Sequence, residues 1–197
     1  MGRTSRNKEK IIQNAVKLFW SHGYEAVGVN DLCEATGINK GTLYHFYQGK
    51  EEIALEVLDF HFQQLKNFFQ SISNLSPKDR IIEYYKLVSK EQKNIINVTG
   101  SARGCPIGVF SIELSPKDGV LQKKIISIFH DIEVFFFNAI LEITKNKTYS
   151  AKTASEFSIF LQGALLMCRT QNSTKPLNSL QSYFENNLKY MENNFPE

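Results

Sequence analysis

The sequence predicts an all-α protein, and three observations support this fold class. Apolar residues recur at intervals of three and four over most of the chain, which is the period of an amphipathic helix. Val, Ile and Phe are frequent, but they do not alternate with polar residues over the length of a strand. Glycine and proline stand between the periodic segments, where they end one helix or begin the next. We therefore expect nine helices and no strand.

Each predicted helix is bounded by residues that favour helix ends. The first carries a one-sided apolar stripe and stops at Gly23, because glycine readily adopts the backbone conformation found just beyond a helix C-terminus. Pro77 and Pro176 open later helices at first-turn positions, which proline tolerates. The expected helices are 4–22, 29–36, 39–47, 50–73, 78–97, 105–114, 117–145, 151–171 and 176–194.

The composition is that of an ordinary globular protein and excludes several classes. Of the 197 residues, 42% are hydrophobic and 22% are charged, which allows a packed core without cross-links. No stretch approaches the roughly 20 apolar residues of a membrane span, and no apolar run follows the basic N-terminus as it would in a secretory signal. The three cysteines are odd in number and widely spaced. We therefore expect a reducing, cytoplasmic compartment.

The positive charge is concentrated at one end of the chain. Residues 1–50 contain seven Lys and Arg against four Asp and Glu, whereas residues 51–197 contain sixteen of each sign. The net charge of +3 therefore comes entirely from the first quarter. A basic head on a neutral body indicates that the head binds a polyanion such as DNA. A solvated basic tail is the alternative that charge alone leaves open.

Residues 29–47 have the spacing of a helix-turn-helix. Two short predicted helices are joined by a four-residue turn that contains a glycine. In the second helix Leu43 and Tyr47 are four residues apart and can form the buried face. Tyr44 and His45 fall on the opposite side, where a recognition helix meets the major groove.

The segments AVKLF, HGY, DLCEATGINKGTLYHFY and GKEE within residues 11–53 resemble the N-terminal domain of the TetR (tetracycline-repressor) family. The helix count and the length also agree with this family, while the C-terminal two thirds agrees only in outline. The resemblance implies a DNA-binding transcriptional repressor that binds a palindromic operator as a homodimer and is released by an effector. It also implies a helix-turn-helix domain at 1–50 and an effector-binding and dimerisation domain at 51–197.

The resemblance further implies which residues contact DNA. Residues of the recognition helix and of the following helix start would meet bases and phosphates, and a basic N-terminal arm would lie near the DNA backbone. These residues are Arg3, Arg6, Lys8, Lys40, Thr42, Tyr44, His45 and Lys50.

Three positions depart from the family pattern. Gly28 replaces the usual Ser or Thr that opens the second helix, so a phosphate contact there is either made by a backbone N–H or absent. Phe46 stands where a polar ring is commoner, and Gly49 replaces a usual Ser cap. None of these departures changes the expected fold.

The segment 103–108 resembles the GCxxG motif of one branch of the family, with Val109 where Asn is usual. Cys105 in this segment is either a sensing thiol near a helix N-terminus or a small buried residue beside a tight bend. The two other cysteines, Cys33 and Cys168, are expected to serve packing. Neither His61 nor His130 has a partner at metal-ligand spacing, so no metal site and no other cofactor is expected.

A regulator of this kind needs an effector pocket, which we expect between helices 50–73, 78–97, 105–114 and 117–145. The abundant phenylalanines favour an apolar, ring-lined pocket, although they could also form a plain core. The candidate effector-binding residues are Tyr84, Tyr85, Cys105, Phe129, His130, Phe136 and Gln162. We expect the 105–114 segment to move when an apolar ligand binds or, as the less favoured alternative, when Cys105 is modified.

Helices 151–171 and 176–194 are predicted to form the dimer interface, because apolar residues lie on more than one side of each. Two other classes of protein compete with a regulator. An enzyme that uses Cys105 as a nucleophile would need a His or an acid at a revealing spacing, and none is seen. A helical adaptor without DNA binding is disfavoured because Lys40, Thr42, Tyr44 and Lys50 are all present.

Overall fold

A computed structural model of the chain describes residues 3–114 and 119–195, without the side chains of residues 3–6. These described residues form nine α-helices and no strand, which confirms the predicted fold class. The helices are α1 Arg3–His22, α2 Val29–Thr36, α3 Lys40–Phe46, α4 Lys50–Ser71, α5 Pro77–Thr99, α6 Pro106–Glu113, α7 Gly119–Thr144, α8 Lys147–Gln171 and α9 Pro176–Asn194. No helix in the described part is both long and apolar enough to cross a membrane.

Most helix ends lie within two residues of their predicted positions, and α8 is the main exception. It begins at Lys147 and not at 151, because the Asn146 side chain caps it by accepting the Tyr149 N–H at 3.0 Å. The polar first turn of this helix has no apolar period from which its start could be predicted. The predicted start of α7 at 117 lies outside the described residues.

The chain divides into two compact units. The first contains the residues up to Gln64 together with Pro106–Ile126, and the second contains Leu65–Cys105 and the residues from Ser127 onward. Helices α4 and α7 therefore each contribute to both units, and α6 belongs with the N-terminal helices. The expected division into a DNA-binding domain at 1–50 and an effector-binding and dimerisation domain at 51–197 stays a prediction.

The first unit buries the apolar faces that the sequence pattern predicts. Ile11, Ala15 and Phe19 of α1 are completely buried, as is Leu32 of α2. Leu43 of α3 is also completely buried, so the short third helix is anchored in the same core. Burial of each large apolar side chain among these contributes about 1.5–3 kcal/mol to the free energy of unfolding.

The core of the second unit is dominated by aromatic rings. Phe136 of α7 is completely buried and lies 5.7 Å from the ring of Tyr84 and 5.5 Å from that of Phe157, measured between ring centroids. Phe157 in turn stacks on Phe184 of α9 with centroids 4.4 Å apart, which joins α8 to α9. Such pairs add about 0.5–1.5 kcal/mol to the free energy gained by burial alone.

Helices α8 and α9 carry two classes of apolar side chain. Most of the apolar residues on which the dimer prediction rested are in fact core residues of a single chain, because α8 and α9 pack against each other. These are Phe157, Leu161, Ala164, Leu165, Cys168, Leu180, Phe184, Leu188 and Met191. Phe160, which also belongs to the predicted interface, is exposed on α8 together with Ile159, Leu166 and Met167.

We expect acid to destabilise the first unit through His61. Its ring lies against Trp20 and Phe60, with centroids 6.2 and 5.9 Å away, and burial lowers its pKa to about 4. The unfolded chain therefore takes up a proton near pH 6.5, before the folded protein does, and the free energy of unfolding falls as the pH drops from about 6.5 to 4. Between pH 7 and pH 5 this loss amounts to about 2 kcal/mol.

Urea denaturation at pH 7 and at pH 5 measures this change in the free energy of unfolding. The His61→Phe variant should lose most of the pH dependence over this range. Exchange of the exposed His130 for Gln serves as the control and should retain it. A His61→Phe variant with the full wild-type pH dependence would show that another group is responsible.

Candidate nucleic-acid interface

The recognition helix α3 presents one face to the core and the other to solvent. Leu43 and Tyr47, the predicted buried face, are 0% and 3% exposed. Tyr44 is 52% exposed, and His45 and Lys40 are exposed as well. The predicted base-contacting side chains therefore stand on the open side of the helix.

The turn and caps on both sides of α3 fix its direction. Gly37 adopts a left-handed conformation with φ of 65°, and its N–H donates to Glu34 O at 3.2 Å. Asn39 caps the N-terminus of α3, with its side-chain oxygen accepting the Thr42 N–H at 2.8 Å. Thr42 is half-buried at this first turn. The N-terminal end of α3 is thus held by local hydrogen bonds that the sequence encodes directly.

The start of α2 lacks a hydroxyl, as the sequence indicated. The Gly28 N–H donates to Asp31 Oδ2 at 2.7 Å. A side chain within the helix thus accepts the N–H of the capping residue, whereas a Ser or Thr cap would accept an N–H from within the helix. This N–H is therefore already engaged by a carboxylate in the structure.

Two of the predicted cations are held by neighbours within the first unit. Lys8 pairs with Glu56 of α4 at 2.5 Å, and the other oxygen of Glu56 accepts the Tyr47 hydroxyl at 2.8 Å. Burial, followed by the hydrogen bond to Glu56, raises the pKa of Tyr47 far above its usual range, so this hydroxyl always donates. Lys50 lies over the ring of Tyr24, 4.2 Å from its centroid, and donates to Tyr24 O at 3.0 Å.

The predicted basic arm lies at the start of α1. The backbone of Arg3 and Arg6 is helical, and their side chains lie outside the described residues. The eight predicted DNA-contacting residues therefore come from α1, α3 and the first turn of α4.

The structure places the candidate effector residues in unlike surroundings. Tyr84 and Phe136 meet in the buried aromatic cluster, and burial raises the pKa of Tyr84 far above its usual range. Tyr85 is buried and donates its hydroxyl to Gln181 of α9 at 3.1 Å. The remaining candidates are half-buried or exposed: Cys105, Phe129 and Gln162 are half-buried, and His130 is exposed.

A loop in the second unit is held by side chains that sequence reasoning missed. The amide of Gln92 bonds both backbone groups of Gly104, accepting its N–H at 3.0 Å and donating to its carbonyl at 3.0 Å. Asn172 at the end of α8 likewise accepts the Ala102 N–H at 2.7 Å and donates to Gly100 O at 3.1 Å. We call these two amides and the loop 100–104 the amide clamp.

One sequence signal could have identified the clamp. Gln92 continues the buried stripe of α5 at helical spacing after Ile81, Tyr85 and Val88, and a polar residue on such a face needs a buried partner. Gly104 has φ of 71°, and a Cβ there would lie 2.9 Å from Leu165 O. Glycine is therefore required at this position for two reasons.

Comparisons with known proteins match two family models to separate parts of the chain. Residues 11–57 match the family model for bacterial regulatory proteins of the tetR family. Residues 82–183, about half of the chain, match the model for the C-terminal domain of LmrA/YxaF-like transcriptional regulators. Both models thus describe regulatory proteins.

Similar proteins cover nearly the whole chain. The HTH-type transcriptional regulator YxaF of Bacillus subtilis (strain 168) is 26% identical over 177 residues, which cover 88% of this chain and 92% of YxaF. The HTH-type transcriptional repressor DhaR of Mycobacterium sp. (strain GP1) is 26% identical over 195 residues, 94% of each chain. The crystal structure of a TetR transcriptional regulator from Legionella pneumophila has a TM-score of 0.82 at 21% identity, covering 91% of this chain and 96% of that one.

We expect Gln92→Leu to destabilise the protein strongly. The leucine has a similar size but can make neither of the two hydrogen bonds between Gln92 and Gly104, and each such loss costs about 1–3 kcal/mol. The free energy of unfolding, measured in urea, should fall by about 2–4 kcal/mol. Gln70→Leu, at an exposed position of α4, is the matched control and should change it little. Equal stability of the two variants would show that the amide clamp is dispensable.

Proposed function

The chain belongs to the TetR family of bacterial regulatory proteins, and on this premise we propose that it is a repressor released from a palindromic operator by a small effector. The observation that carries the proposal is the outward face of α3, where Tyr44 and His45 are exposed beside a buried Leu43. The named repressor DhaR, similar along the whole chain, supports repression as the mode of regulation. Operator DNA implies that the protein acts in the cytoplasm.

We assign two kinds of DNA contact to the interface. Tyr44 and His45 read base edges, because they project from the exposed face of a helix that fits the major groove. Lys40 and Lys50 meet phosphates at the starts of α3 and α4, and the basic residues of α1 add to the same charge. The basic excess in residues 1–50 supports this assignment.

We propose a homodimer that forms through α8 and α9. Ile159, Phe160, Leu166 and Met167 make an exposed apolar stripe at helical spacing on α8, and exposed Gly163 lies in its centre. An apolar stripe of this kind is typical of a protein interface, and glycine allows a second helix to approach closely. Two-fold pairing would present two recognition helices to successive major grooves, roughly 34–36 Å apart.

The proposed effector is a small apolar or aromatic compound. The aromatic cluster around Tyr84 and Phe136 offers the ring surfaces that would bind it, if the cluster opens to admit a ligand. The alternative is modification of Cys105, which is half-buried and directly precedes α6. Either event releases DNA only if it favours the released form over the bound one. We propose that movement of α6 carries the signal from the effector to the DNA-binding surface. The matching families give no support to an enzymatic role for Cys105.

Changes at Lys50 and Tyr44 should separate phosphate contacts from base contacts. A duplex selected by the wild-type protein from a random library serves as the operator, and fluorescence anisotropy over a series of KCl concentrations gives affinity and salt slope. Lys50→Ala should weaken binding to all duplexes several-fold and flatten the salt slope by about one unit. Tyr44→Ala should instead change which sequences are preferred.

The exposed lysine Lys90 of α5 provides the control, since Lys90→Ala should leave both readouts unchanged. Lys50→Arg keeps the charge and should keep the slope. The assignment is wrong if Lys50→Ala alters sequence preference while the salt slope stays at its wild-type value. Failure of the wild-type protein to bind any duplex would contradict the proposed function itself.

Two charges on the exposed face of α8 should abolish the dimer. The double variant Ile159→Glu, Leu166→Glu places carboxylates in the proposed apolar interface without entering the core, since these side chains are 69% and 50% exposed. Sedimentation at micromolar concentration should show a wild-type dimer and a folded monomeric variant. Ile126→Glu, at a 59% exposed isoleucine of α7, is the control and should remain dimeric. A monomeric wild type would rule the interface out.

A further inference from the structure

A single peptide group in the first unit is held at both ends by opposite charges. Its carbonyl is that of Tyr24, which accepts from Lys50 Nζ at 3.0 Å. Its N–H is that of Glu25, which donates to Glu113 Oε2 at 2.8 Å. Both bonds are charge-assisted, and each polarises the peptide group in the sense that strengthens the other. The positions of Lys50 and Glu113 are therefore linked through one peptide group.

The two charged residues come from different helices. Lys50 is the first residue of α4, Glu113 is the last residue of α6, and the shared peptide group lies in the corner between α1 and α2. Lys50 is also one of the proposed phosphate contacts, so the linkage joins α6 to the DNA-binding surface.

The corner between α1 and α2 is shaped to receive α6. Phe110 of α6 is 1% exposed and lies against the rings of Phe19 and Tyr24, with centroids 5.7 and 5.8 Å away. Gly23 has φ of 92°, and a Cβ there would overlap the carboxylate of Glu113. A side chain at position 23 would therefore displace the Glu113 carboxylate, and the positive φ favours glycine there.

Helix α6 directly follows the amide clamp along the chain. Gly104 is the last residue of the clamp, and only Cys105 separates it from Pro106, the first residue of α6. Along the chain, a single residue therefore separates the clamped loop from the helix that carries Glu113.

We propose that Glu113 is the positioning residue through which α6 sets the affinity of Lys50 for a DNA phosphate. This rests on the proposed function. While Glu113 holds the Glu25 N–H, the Tyr24 carbonyl holds the Lys50 ammonium with one of its three donors and leaves the others for a phosphate. When α6 withdraws, the Tyr24 carbonyl becomes a weaker acceptor and Lys50 loses its fixed position. DNA binding then includes the entropic cost of ordering a flexible side chain, which lowers the affinity.

The rival explanation is that Glu113 only stabilises the fold by capping a backbone N–H. A purely stabilising residue would change DNA affinity by the same factor whether or not Lys50 is present. A residue that acts through Lys50 would change it only when Lys50 is present. A double-mutant cycle on DNA affinity separates the two explanations.

The cycle uses Glu113→Ala, Lys50→Ala and their combination. The probe is a fluorescein-labelled duplex selected by the wild-type protein, titrated by anisotropy over a series of KCl concentrations. Glu113→Ala should weaken binding about 3- to 10-fold in the wild-type background and less than about 2-fold in the Lys50→Ala background. Glu113→Gln retains an acceptor oxygen and should restore part of the lost affinity.

Glu25→Gln is the matched control. It removes an exposed carboxylate from the same corner but keeps the backbone N–H, so its effect should be independent of Lys50. Equal factors for Glu113→Ala in both backgrounds, or no effect at all, would overturn the proposal while leaving the proposed function intact. If thermal denaturation shows Glu113→Ala to be unfolded, the same cycle with Glu113→Gln decides, and a Lys50-independent effect overturns the proposal. Absence of wild-type binding to any duplex would instead refute the proposed function.

Discussion

The recognition helix α3 has only seven residues, and the interface depends on how this helix is anchored. A helix of this length is not stable alone in water, so its position comes from the burial of Leu43 and Tyr47. The hydroxyl of Tyr47 adds a bond to Glu56 of α4, which fixes the C-terminal end of the helix. Both anchors lie on one face, and Tyr44 and His45 are consequently free of any role in the core.

Two of the lysines proposed to contact DNA already have partners within the protein. Lys8 pairs with Glu56, and Lys50 lies on the ring and carbonyl of Tyr24. A half-exposed pair such as Lys8 and Glu56 is worth about 0–1 kcal/mol, so a phosphate can compete with the carboxylate. Lys50 bonds to a neutral carbonyl and can keep this bond while it meets a phosphate.

The sequence predicts local features well, because periodicity and turn residues act over a few positions. The helices, the turn at Gly37 and the outward face of α3 all follow from spacing alone. Glu113 could not be assigned in this way, since its partner lies 88 residues away along the chain. Spacing marks Gln92 as a buried polar residue, but it does not identify Gly104, 12 residues away, as its partner. Residue type also failed to separate a pocket from a core: Tyr84 and Phe136 suit both, and the structure packs them together.

The amide clamp differs in kind from the contacts proposed for DNA. It consists of neutral amides and backbone groups, so neither salt screening nor protonation near neutral pH weakens its bonds. Lysine–phosphate contacts, in contrast, weaken steeply as ionic strength rises. A rise in salt concentration would therefore weaken the proposed lysine–phosphate contacts and leave the bonds of the loop that leads into α6 intact.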